Sequence, residues 1–122
     1  MKLIIFSGLI LGLSSAHAQT RSDAFPSCNL GEQHSLVGEL GGTIKDPGQA
    51  HISMRANILQ ADISTARKAR RLSQPTADRL WKDVQRVRAN TDAFAQKQGF
   101  LSAAERASYE RKLDAVAAQI CR

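Results

Sequence analysis

Two cysteines, and only two, stand near opposite ends of this chain: Cys28 and Cys121. A bond between them closes almost everything that can fold into a single loop. The chain-entropy argument gives such a closure roughly 4–5 kcal/mol as an upper guide. The pair lacks the C-x-x-C spacing of redox or zinc thiols, so a structural disulfide is the expectation. That expectation requires an oxidising compartment. Residues 1–18 read as the means of reaching one. Lys2 is followed by an apolar run from Leu3 to Leu13, and Ala16-His17-Ala18 has the small-x-small form of a cleavage site. The run is shorter than the roughly 20 apolar residues a membrane span needs. No later segment is apolar enough to span, so no transmembrane anchor is expected after cleavage. The expected location is the periplasm or the exterior.

Charge comes next. The chain carries a net +6, of which Lys2 supplies one. A basic balance favours anionic partners but says nothing about fold.

Residues 19–46 show little periodicity and are broken by Gly31, Gly38, Gly41 and Gly42, so an irregular arm is expected there. Residues 47–122 read as helices. Asp46-Pro47 opens the first, with Gln49 at the capping-box position. Ile52, Ala56, Leu59, Ile63 and Ala66 form its apolar stripe. Ser73 or Gln74 opens the second, whose stripe is Leu80, Val84, Val87, Thr91 and Phe94, and Gly99 stops it. Ser102-Ala103-Ala104-Glu105 is a capping box for the third, with Tyr109, Leu113, Val116 and Ile120 facing inward. Shifting by 29 residues lays Leu72-Ser73 on Leu101-Ser102 and one stripe on the other. The fold class expected is all-α: a small antiparallel three-helix bundle with an irregular N-terminal arm tied by a disulfide. With Cys121 at the pole away from the start of the first helix, residues 29–45 must run back along the bundle.

Few residues point to chemistry. No nucleophile elbow, metalloprotease helix, phosphate loop or dinucleotide fingerprint is present. His34 and His51 have no ligand-spaced neighbour and read as surface or cap residues. Asp62, Asp78, Asp83, Asp92, Glu110 and Asp114 alternate with cations and read as solvated ion pairs. The chain is therefore expected to be no enzyme, and to need no cofactor or metal. The cations are less evenly spread. Arg67, Lys68, Arg70, Arg71, Arg79, Lys82 and Arg122 should gather at one pole beside Trp81. Such a patch suits an anionic envelope component or an acidic envelope protein. Nucleic acid is not expected, because aromatics do not interleave with the cations. A basic-pole binding module is the leading expectation. A chaperone-like or structural protein that holds apolar client segments is the second.

A third reading comes from residues 94–105, FAQKQGFLSAAE. Gly99, Leu101 and Glu105 fill the sixth, eighth and twelfth places of a calcium loop, but Phe94 stands where the first ligand belongs. The segment resembles an EF-hand-like helix-loop-helix that has lost its calcium, and a small metal-binding protein using this degenerate loop is the third function expected. The stretch from Leu72 to Cys121, above all GFLSAAERASY at 99–109 and LDAVAAQIC at 113–121, resembles small exported helical proteins of proteobacteria. That resemblance implies an exported helical protein and implies no activity. Periplasmic stress chaperones marked by LTxxQ are a thinner comparison. In LSQPT at 72–76 the Gln comes two places early, so no residue carries over.

Overall fold

The computed structural model describes residues 25–122. The signal reading at 1–18 and the first part of the arm lie outside those residues. The described chain is mostly helical. A 3-10 turn at Pro26–Cys28 precedes α1 (Leu30–Ser35), α2 (Pro47–Lys68), α3 (Gln74–Gln98) and α4 (Ala103–Ile120). Among the described residues the only extended pairing is an isolated bridge between Gly41 and Ile44. Cys28 and Cys121 are joined by a disulfide, with Cα atoms 5.7 Å apart.

Each long helix starts where its side chains can satisfy free backbone N–H groups. The Asp46 carboxylate accepts from the Gln49 N–H at 2.8 Å. Ser73 accepts from Thr76, and Ser102 with Glu105 forms the complete capping box. Gly99 ends α3 with φ +88, the left-handed conformation a side chain resists. Asp46 also accepts from the Leu101 N–H at 3.1 Å, so one carboxylate ties the start of α2 to the α3–α4 connection. Gln49 does not return to its own cap. Its side-chain amide donates instead to Asp92 of α3 at 2.9 Å.

The three long helices pack against one another around a common core. The expected stripes of α2 and α4 are buried in full, as are Leu80, Val84, Val87 and Thr91 of α3. The α3 stripe ends differently: Ala95 is buried, while Phe94 is 42% exposed and lies tilted against Tyr109. A helical period of 3.6 admits either residue. Beside the apolar contact, Arg88 of α3 donates to Asn57 and Gln60 of α2, both at 2.8 Å.

The arm is less irregular than expected, since it holds the 3-10 turn and α1. Asn29 caps α1 by accepting from the Glu32 N–H, a local bond that a short glycine-containing segment conceals in sequence. The arm runs back along α2, as the disulfide demands. The Ser27 N–H donates to Asp62 at 2.9 Å, His51 meets the Leu36 carbonyl, and Gly38 lies against the Ala50 carbonyl. A Cβ at Gly38 would collide with that carbonyl, so only glycine permits the approach. A two-residue turn at Gly42-Thr43, with Gly42 at φ +56, then reverses the chain into α2.

Candidate functional site

The end of α2, the start of α3 and the end of α4 lie together. Arg67 donates to Gln74 across the α2–α3 connection at 3.1 Å, and Arg79 donates to Gln119 of α4 at 2.9 Å. The disulfide brings the 3-10 turn to the same place. The cations expected at this pole have unequal surroundings. Arg67, Lys68 and Arg70 line an open groove of about 510 Å³ with Leu72, Ser73 and Gln74. Trp81, 42% exposed, flanks a smaller recess that also includes Arg67. Lys82 and Arg122 are exposed.

Arg70 and Arg71 have local duties as well. Arg70 takes φ +58 just past the end of α2. The Arg70 N–H donates to Arg67 and the Arg71 N–H to Ala66, both at 2.9 Å, which completes a Schellman ending. The Arg71 guanidinium lies 5.4 Å from the Phe25 ring centroid, where a cation is attracted to the aromatic face. Arg79 has Asp83 at 3.9 Å besides Gln119.

In the 94–105 segment, the Glu105 carboxylate accepts from the Ser102 N–H at 3.0 Å and from the Gln98 amide at 2.6 Å. Phe94 packs toward Tyr109. The cap thus engages Ser102 and Glu105, and the aromatic contact engages Phe94. Burial, reinforced by the nearby Glu105 charge, holds the Tyr109 phenol above its ordinary range.

A second constellation went unexpected. Arg55 of α2 is fully buried, and its guanidinium reaches both Glu110 and Asp114 of α4; the Asp114 contact is 2.8 Å. A buried guanidinium is costly without a counter-charge, and two carboxylates four residues apart on one helix face supply it. His51, 2% exposed, places Nε2 against Glu110 and Nδ1 2.6 Å from the Leu36 carbonyl. A carbonyl only accepts, so Nδ1 carries a proton and directs Nε2 at the carboxylate. His34 of α1 places Nε2 2.9 Å from each Asp114 oxygen and 3.7 Å from Glu110. The expectation of surface histidines and solvated carboxylates is therefore corrected. His51 is interior, both rings engage acids, and Glu110 and Asp114 neutralise a buried arginine. One atom each from His34, Glu110 and Asp114 lie within 4.8 Å of one another, which is within reach of a single metal ion.

Sequence distance hides this cluster, because His34 and Asp114 are 80 residues apart. The available signal was the row His51, Arg55 and Asp62, spaced by four and seven beside the apolar stripe of α2. All three are buried under the arm or against α4.

Comparison with protein families, with curated proteins and with solved structures found no match for this chain.

Proposed function

We propose that this chain is an exported, non-enzymatic binding module whose basic pole contacts phosphate-bearing anionic surfaces of the cell envelope. In this reading α2, α3 and α4 run up, down and up as an antiparallel bundle. The arm returns along it, and the protein works in the periplasm or outside the cell. The disulfide supports the oxidising compartment. No helix among the described residues is long and apolar enough to cross a membrane, so contact would be made at the surface.

The observation that carries the reading is the groove where Arg67, Lys68 and Arg70 meet the start of α3, with exposed Trp81 close by. Cations at a helix end answer the negative end of its dipole, which explains part of the cluster. Lys82 lies in the third turn of α3, beyond the reach of either helix end, and that explanation does not account for it. A polyanionic partner does, since each cation near an anionic surface contributes roughly 1 kcal/mol. Replacement of Arg67, Lys68, Arg70 and Lys82 by Gln tests the assignment. The variant should keep its helix content by circular dichroism and lose most of its binding to phosphatidylglycerol-containing vesicles. Unchanged binding would remove the pole from consideration.

One observation favours the second reading, an apolar-client binder. Val37 is 90% exposed, Leu40 58% and Phe100 53%. They lie in segments that flank the first turn of α2, away from the cations. Binding through these residues would persist in high salt and survive the Gln substitutions.

A further inference from the structure

We propose that His34, Glu110 and Asp114 form a binding site for a divalent transition-metal ion of the zinc class. The donor set is one imidazole nitrogen and two carboxylates, chemistry that suits zinc and its neighbours better than calcium or magnesium. Tetrahedral zinc, with bonds near 2.0–2.2 Å, needs its ligand atoms about 3.3 Å apart. Here His34 Nε2 stands 2.9 Å from Asp114 Oδ2 and 3.7 Å from Glu110 Oε2, and all three donors fit within 4.8 Å. Small side-chain rotations bring them to coordination distance.

The surrounding residues already hold these donors. Arg55 binds Glu110 Oε2 and Asp114 Oδ1, leaving Asp114 Oδ2 facing His34. His51 fixes the other Glu110 oxygen and is itself oriented by the Leu36 carbonyl. Hydrogen-bonded carboxylates backed by an oriented outer shell are the usual support of a metal site. The His34 side chain is 47% exposed, so an ion can enter from solvent, and water can take the fourth position. The ion would join α1 to α4 and so clip the arm to the helices independently of the disulfide.

The test uses tag-free protein with its disulfide intact and zinc chloride as the probe. Calorimetry should show one bound ion per chain, and the thermal midpoint should rise with zinc, since a ligand selective for the native state stabilises it. Calcium at the same concentration should leave the midpoint unmoved. His34→Ala alters an exposed ring and should keep its helix content while weakening zinc binding at least about tenfold. Asp114→Asn should weaken it similarly. Absence of a zinc response, an equal response to calcium, or wild-type affinity in the His34→Ala protein would each overturn the proposal.

Discussion

Arg70 is the one described non-glycine residue with positive φ, and it holds that conformation to close the end of α2. A left-handed backbone costs a side-chain-bearing residue roughly 1–2 kcal/mol, and glycine avoids the cost. Arg70→Gly should therefore raise stability by about 1 kcal/mol in urea unfolding. Tyr109 gives a second single-residue expectation. Its raised pKa means that the folded state keeps the phenolic proton longer than the unfolded state does. The resulting stability is complete below pH of about 10 and is lost as pH rises through the folded value. Spectrophotometric titration should place the tyrosine transition above that of the urea-unfolded chain.

At the scale of elements, α2 is the organising helix because it is buried on two sides. Its apolar stripe meets α3 and α4, and its polar row meets the arm and the carboxylates of α4. Arg55→Met should destabilise by about 3–5 kcal/mol, because Glu110 and Asp114 lose their buried partner. Adding Glu110→Gln and Asp114→Asn to that variant should recover part of the loss. Equal stability of the single and triple variants would show that charge burial is not what Arg55 answers.

The same helix shows what the sequence could and could not convey. Ile52, Ala56, Leu59, Ile63 and Ala66 announce their face through spacing alone, and Asp46, Ser73, Ser102 and Gly99 announce their ends through capping chemistry. Arg55 announces nothing, since an arginine inside an amphipathic pattern looks the same whether solvent or a carboxylate pair receives it. Its partners come from α4 and, through His34, from an arm whose path only the folded chain defines. The choice of Ala95 over Phe94 was likewise beyond periodicity, which allows both.

For the molecule as a whole, the disulfide joins the start of the described chain to its end, and the arm runs back against α2 and α4. Replacing Cys28 and Cys121 by Ala should lower stability by about 2–5 kcal/mol in urea unfolding, with a larger m-value because the unfolded chain loses its cross-link. The helix stripes should survive that change, because Ile120, beside Cys121, belongs to the same core cluster as Leu113 and Val116. The molecule then has two different ends. One gathers Arg67, Lys68, Arg70 and Lys82 around a groove; the segments at the other leave Val37, Leu40 and Phe100 in solvent. Under the proposed function, the response to salt distinguishes contact through one end from contact through the other. Cosedimentation of the protein with anionic and with neutral vesicles should be measured as sodium chloride rises from 20 to 500 mM, roughly from weak to strong screening. A basic-pole binder should sediment with anionic vesicles alone, its binding falling steadily toward zero across that range. Equal binding to both vesicle types, undiminished at the highest salt, would contradict that reading.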